Sequence, residues 1–227
     1  MPIPKIKALL FMKGKSERVP RKNMRDFCGR PLFHWIMDSL SHSKYIHEIV
    51  INTDSEEIAQ SAKDNYDVTI HMRPDYLLNI TSNEAYQLMA YDLSITEGEY
   101  FLQTHSTTPL IKSVTIDHAI EKFFNHTEFD SLISVTPIQK RFFWPDGKPI
   151  NHDPDALIKT QELPYLYEEN SCIYIFSRDV MEKRKNRIGA TPLFLKMDPL
   201  ESVDIDEMFD FVIAEAVMNE RIKRGIS

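Results

Sequence analysis

Apolar runs of strand length alternate with apolar residues at helical spacing along most of the chain. Residues Ile6–Met12 read as a buried strand and lead into a polar, basic loop. Pro31 then opens a helix whose apolar face is Leu32, Ile36 and Leu40, with Phe33 and Met37 beside it. Residues 46–52 form a second strand, and Asp54 behind it is placed to cap a helix carrying Ile58, Ala59 and Ala62. A short strand follows at 68–71. Thr81 and Glu84 have the spacing of a capping box ahead of a helix with Ala85, Leu88 and Met89. Residues 99–103 give another strand, and Ile116, Ala119, Ile120 and Phe123 recur at helical intervals. Further strands fall at 131–135 and 172–176, and a last helix carries Phe209, Val212, Ile213 and Ala216 as its apolar face.

Strand, loop and helix repeated in this way predict an α/β fold: a mostly parallel twisted sheet with helices on both faces, Rossmann-like. In such sheets ligands lie beyond the carboxyl ends of the strands. The chemistry is therefore expected in the loops after Met12, Asn52, Gln103 and Val135. The 227 residues suit a single domain, 1–227. One segment interrupts the alternation. Residues 140–170 hold Phe142, Phe143, Trp144, Pro145, Gly147, Pro149 and Pro154, and predict an excursion that protrudes from the sheet. Aromatics at this density cover a substrate or a partner chain.

Composition narrows the functional classes. A hydrophobic share of 42% is enough for a core without disulfides or metal staples. No apolar run is long enough for a membrane span, and the short apolar start passes straight into charge, so neither membrane nor signal peptide is expected. Cys28 and Cys172 lack metal-ligand spacing and read as free thiols in a reduced, cytoplasmic setting. The net charge of −7 argues against nucleic acid as partner. A basic run at Lys183, Arg184, Lys185 and Arg187 reads as a solvated helix end.

Three segments carry candidate chemistry. The loop after the first strand supplies Lys13, Lys15, Arg18, Arg21 and Lys22, with Gly14 allowing close backbone approach. Cations and backbone N–H groups at a strand's end are what a phosphate requires. The same loop also reads as an ordinary charged surface turn. It is not a Walker loop, because the GxxxxGK[ST] order is absent. In Ser202-Val203-Asp204-Ile205-Asp206 an extended backbone puts both carboxylates on one side. Paired carboxylates suit a hard divalent cation such as Mg²⁺. The alternative is a cap by Asp206 on the last helix, with Asp204 exposed. In Leu102 to Leu110, Gln103 can read a base or sugar edge and His105 can act as a base, or both can belong to a polar turn. Asp54, Arg73, Glu169 and Asn170 are further candidates, each with a structural alternative.

Taken in order, these segments resemble the acylneuraminate cytidylyltransferase family, the CMP-sialic acid synthetases. The family's A-R-x-G-S-K-x-I-P-x-K-N loop reads here M-K-G-K-S-E-R-V-P-R-K-N, followed by G-R-P-L. The segments I-V-I-N-T-D-S-E-E-I-A, M-R-P, L-Q-T-H-S-T-T-P-L, Q-E-L-P, N-S-C-I-Y-I and S-V-D-I-D-E match the rest, from Ile6 to about Ala216. The resemblance implies transfer of CMP from CTP to a sialic-acid-like (nonulosonic) sugar acid, with release of pyrophosphate. It assigns Lys22, Lys13 and Asp206 as catalytic. It places the nucleotide on Met12, Lys13, Gly14, Lys15, Ser16, Lys22, Asn23, Arg73 and Ser82. It gives the sugar acid to Gln103, Thr104, Gln161, Glu169 and Asn170, and Mg²⁺ to Asp204 and Asp206. It also implies a homodimer built through residues 140–170. The chain departs from the pattern where Lys13 replaces an arginine, Glu17 a lysine and Ile111 an arginine. Glu168 replaces an arginine expected to help with the sugar's acidic side, and a carboxylate there repels an acidic substrate. The competing readings are a metal-dependent glycosyltransferase, whose acidic pair falls mid-chain, and a catalytically inactive nucleotide-binding homologue.

Overall fold

A computed structural model describes residues 3–81 and 84–225. In chain order the elements are β1 (Ile6–Met12), β2 (Asp26–Phe27), β3 (Arg30–Pro31), α1 (Phe33–Ser41), β4 (Ile46–Thr53), α2 (Glu56–Asn65) and β5 (Thr69–Met72). They continue with α3 (Tyr86–Ile95), β6 (Tyr100–Thr104), α4 (Ser113–Phe124), β7 (Ser131–Ile138), β8 (Leu166–Ser177), α5 (Arg178–Arg184), β9 (Pro192–Lys196) and α6 (Met208–Arg224). The main sheet has the order β5-β4-β1-β6-β8-β7-β9. β1 pairs in parallel with β4 and β6, β4 with β5, and β7 with β9; β8 alone runs antiparallel to its neighbours β6 and β7. The expected mostly parallel sheet is thus present.

Strand β1 shows why both faces are covered. Ala8, Leu10 and Met12 join one core with Phe33, Ile36, Ile58, Ile116 and Ile120 of α1, α2 and α4. Leu9 points the other way, into a second core with Met89 and Leu93 of α3 and Val180 and Met181 of α5. Alternate side chains of a strand leave on opposite faces, so a strand buried on both sides needs a nearly continuous apolar run.

Four sequence expectations are corrected. Pro31 lies in the small β2–β3 hairpin and α1 begins at Phe33, so the proline stands just ahead of the helix instead of opening it. The cap of α2 is Ser55, whose Oγ accepts from Ile58 N at 3.4 Å; Asp54 is engaged elsewhere. Residues 166–170 belong to β8, not to the excursion: Leu166 to Glu169 pair with Ile138 to Val135 in a ribbon that continues β7 and β8 beyond the sheet. In α6 the buried face is Phe211, Ala214 and Met218, packed with Val19, Phe27, Leu32, Leu110 and Ile205. The predicted stripe of Phe209, Val212, Ile213 and Ala216 faces outward, with Phe209 72% exposed. A capping box between Glu207 and Asp210 starts the helix, and Phe211 packs edge-on against Phe27 at 5.3 Å between ring centres.

The predicted capping pair does form: Thr81 N donates to Glu84 Oε2 at 3.0 Å, shortly before α3. Residues 139–165 leave the sheet, carrying Phe143, Trp144, Leu157 and Tyr165 exposed. Among the described residues no helix is long and apolar enough to cross a membrane, and Cys28 and Cys172 are free.

Candidate functional site

The basic loop after β1 is held at its root by polar contacts from three directions. Gly14 N donates to Asp54 Oδ1 at 2.6 Å. A Cβ on Gly14 would lie 2.8 Å from Ser55 Cβ, closer than carbon atoms approach, so glycine is required there. Asn23 Nδ2 donates to the Lys13 carbonyl at 2.9 Å, and Ser106 Oγ donates to Asn23 Oδ1 at 2.7 Å. Buried Arg73 donates to Asn52 Oδ1 at 2.8 Å and to the Met12 carbonyl at 3.3 Å. Asn23 and Arg73 therefore position the loop from behind. Lys13 and Lys15 extend into solvent, with no ion pair among the described residues, and Ser16 is half-buried between them and Arg18.

The late acidic segment meets this loop. Lys22 Nζ donates to the Ile205 carbonyl at 2.5 Å and lies 3.7 Å from Asp206 Oδ1. Arg18 Nη2 reaches the same oxygen at 2.7 Å, and its Nη1 lies 3.3 Å from Glu207. Ile205 is fully buried and its N–H donates to the Thr107 carbonyl at 2.9 Å. That anchor leaves Asp204 and Asp206 flanking a residue held in the core. Asp204 Oδ1 is buried and has no hydrogen-bond partner among the described residues. Burial raises the Asp204 carboxyl above the usual range, with Asp206 adding to the rise while Thr107 and Lys22 oppose it. A buried carboxylate oxygen without a donor is costly unless a cation meets it. The all-oxygen pair thus fits a hard divalent ion.

A third group lies beyond β6. Gln103 is buried, and Gln103 and Tyr174 stand opposite each other in the β6–β8 ladder. Arg187 Nη1 donates to Gln103 Oε1 at 2.8 Å, and its guanidinium lies 3.5 Å from the centre of the Tyr174 ring. The solvated helix end expected for the basic run holds for Lys183, Arg184 and Lys185 at the end of α5, and is corrected for Arg187 alone, which folds back onto the sheet. No local signal marks it, since the pairing is set by strand order. Thr104 is buried, with no partner for its Oγ1 among the described residues. His105 is held down to about 4 by burial first and then by the charge of Arg187, with Lys22 adding and Asp206 opposing. Its imidazole is neutral at physiological pH and lies within the field of both charged groups.

The remaining candidates divide. Glu169 accepts from the Tyr174 hydroxyl and so borders the Arg187 group. Asn170 is fully engaged: Oδ1 accepts from Ser134 Oγ at 2.6 Å and from Cys172 N at 3.2 Å, while Nδ2 donates to Thr136 and Ser202 at 3.1 and 3.2 Å. Its side chain ties β7 and β8 to the acidic segment. Gln161 is exposed in the excursion, where its carbonyl accepts from Gln139 Nε2 at 2.9 Å, and among the described residues it shares no hydrogen bond with the Lys22, Asp206 or Arg187 groups. Ser82 lies outside the described residues. A cavity of about 560 Å³ lined by Trp35, Pro109, Ile111, Met218 and Ile222 contains none of the candidate residues.

The sequence model of a family described as Cytidylyltransferase matches residues 8–218. Post-translational flagellin modification protein B of Campylobacter coli is 27% identical over 221 residues, covering 92% of this chain and 93% of that protein. CMP-N,N'-diacetyllegionaminic acid synthase of Legionella pneumophila is 27% identical over 226 residues, covering 94% of this chain and 96% of the other. N-acylneuraminate cytidylyltransferase of Oncorhynchus mykiss is 26% identical over 218 residues, 92% of this chain, and the match spans 49% of that longer protein. Among solved structures, CMP:2-keto-3-deoxy-manno-octonic acid synthetase complexed with CTP superposes with a TM-score of 0.70 at 13% identity, covering 96% of this chain and 100% of the other. That likeness is one of fold.

Proposed function

The chain belongs to the cytidylyltransferase family, and from that premise we propose that it couples CTP to a nonulosonic sugar acid, giving a CMP-sugar and pyrophosphate. The observation that carries the reading is the meeting of two segments 183 residues apart, where Lys22 bonds the Ile205 carbonyl beside Asp204 and Asp206. In the reaction the sugar's anomeric hydroxyl oxygen forms a bond to the α-phosphorus. The α–β anhydride bond breaks, pyrophosphate leaves with the electron pair, and the hydroxyl proton passes to water. Such transfer depends on positioning and on electrostatic stabilisation.

Each part of the cleft then has a task. Lys13, Lys15 and the loop backbone at Gly14 and Ser16 cradle the triphosphate. Lys22, anchored near the acidic pair, stabilises negative charge at the transferring phosphoryl group. Arg18 now balances Asp206 and is free to turn to phosphate oxygens once that carboxylate is otherwise met. Mg²⁺ would be held by Asp204 and Asp206 and, when bound, would neutralise charge on the phosphate oxygens. Gln103 and Glu169 face the sugar side, while Thr104, next to Gln103 on β6, leaves on the opposite face. We further propose a homodimer, supported by the aromatics exposed along residues 139–165, and a cytoplasmic setting, supported by the two free cysteines.

A screen of nucleoside triphosphates against a panel of sugar acids, reading pyrophosphate release, tests the function. CTP with a nonulosonic acid is the expected productive pair. Release of a nucleoside phosphate from a nucleotide-sugar donor, or no release with any pair, overturns it.

A further inference from the structure

We propose that Arg187 is the residue that recognises the carboxylate of the acidic sugar, and so sets specificity for sugar acids over neutral sugars. The proposal rests on the function just argued and deepens it.

Arg187 is placed by a constrained loop. Beyond it, Gly189 N donates to Ser131 Oγ at 2.8 Å, and Ala190 and Thr191 N–H groups donate to the Asp130 carboxylate at 2.6 and 3.0 Å. A Cβ on Gly189 would fall 2.0 Å from Asp130 Oδ1, so only glycine lets the chain lie this close to the start of β7. From this pinned loop the Arg187 side chain runs along the sheet to the Gln103–Tyr174 pair. Its stem and one face are thus fixed before any ligand arrives.

Its surroundings meet its charge only in part: Tyr174 and Glu169 favour the charged form, but no carboxylate pairs with it among the described residues. One nitrogen donates to Gln103, which is neutral, and the ring of Tyr174 covers one face. Glu169 acts on it through space but forms no ion pair with it among the described residues, and that carboxylate already accepts from the Tyr174 hydroxyl. Burial disfavours the charged form of Arg187. A half-buried guanidinium carries five donors in a planar fork, and the partner that matches the fork is a carboxylate or phosphate. The phosphate side of the cleft is occupied by other cations, Lys13, Lys15 and Lys22. His105 lies within the influence of both Arg187 and the Lys22–Asp206 pair. Arg187 bonds Gln103, the residue given to the sugar, so the anion it would meet there is an acidic group on that sugar. Glu168 is exposed on β8, where it stands opposite Thr136 of β7.

The test compares wild type with Arg187→Lys and Arg187→Gln by steady-state kinetics. The sugars are the acid and its carboxamide, and folding of each variant is checked by thermal melting. The KM for the acid is expected to rise between about 10- and 100-fold in both variants, since a charge-assisted pair is lost or loosened, while the KM for CTP holds. Wild type prefers acid over amide, and Arg187→Gln loses that preference. An unchanged KM and an unchanged acid preference in the folded Arg187→Lys protein overturn the assignment while leaving the activity intact. A wild type inactive with every sugar acid overturns the activity itself, and the assignment with it.

Discussion

Asp204 Oδ1 lies buried without a donor, and Asp206, two residues on, is already held by Arg18 and Lys22. A carboxyl raised by burial binds its proton more tightly folded than unfolded, so Asp204 destabilises the chain as pH rises past the ordinary value of 3.8. Asp204→Asn removes that burden. Its melting temperature at neutral pH is expected to equal or exceed wild type while pyrophosphate release falls at least about 100-fold. A melting temperature well below wild type would assign Asp204 to the scaffold instead. His105 has the opposite sense of shift. Its proton is bound more weakly folded than unfolded, so its stabilisation is present above pH 6.5 and lost as pH falls through about 4. Thermal melts across that window should show a shallower loss in His105→Gln than in wild type, and parallel curves would contradict the placement of His105. The acidic pair was readable from Asp-x-Asp spacing and the Lys22 loop from its charge. Arg187 was not, because its value depends on a contact from its loop to Gln103, 84 residues away.

At the scale of elements, the loop after β1 acts through its packing on α2. Gly14→Ala places a methyl group against Ser55 and strains the Gly14–Asp54 hydrogen bond. We expect a loss of about 1–2 kcal/mol in urea unfolding together with a raised KM for CTP. Loss of stability with an unaltered KM would separate the loop from the nucleotide. The strands were legible because β1, β4 and β6 are apolar runs bounded by polar loops. The face of α6 was not. Phe209, Val212, Ile213 and Ala216 have the right spacing, but so do Phe211, Ala214 and Met218, and packing of the second set against Phe27, Leu32 and Ile205 decides between them. Strand β9 was missed because Pro192 heads it and its outward residue, Phe194, breaks the alternation. Asn170 and Arg73 were legible as important polar residues. Their roles as ties, and not as ligand contacts, depend on partners such as Ser134, Ser202, Asn52 and Met12 that only the fold brings near.

For the whole molecule, the sheet order brings the loops after β1 and β6 and the segment before α6 to one place, leaving the β7–β8 ribbon and residues 139–165 to extend from it. Exposed Phe143 and Trp144 on that extension predict a sedimentation-equilibrium mass of two chains, falling to one in Phe143→Ser/Trp144→Ser. A single-chain mass for wild type at micromolar concentration would contradict the dimer. The central claim is that the amino-terminal cations and the late aspartates form one triphosphate site. Lys13 and Asp204 share no direct hydrogen bond or ion pair among the described residues, so a shared ligand is the direct route by which their side chains couple. The most direct measurement is a double-mutant cycle of calorimetric CTP binding with Mg²⁺ present, using Lys13→Ala, Asp204→Asn and the pair. The account predicts a coupling of about 1 kcal/mol or more, and losses that simply add would contradict it.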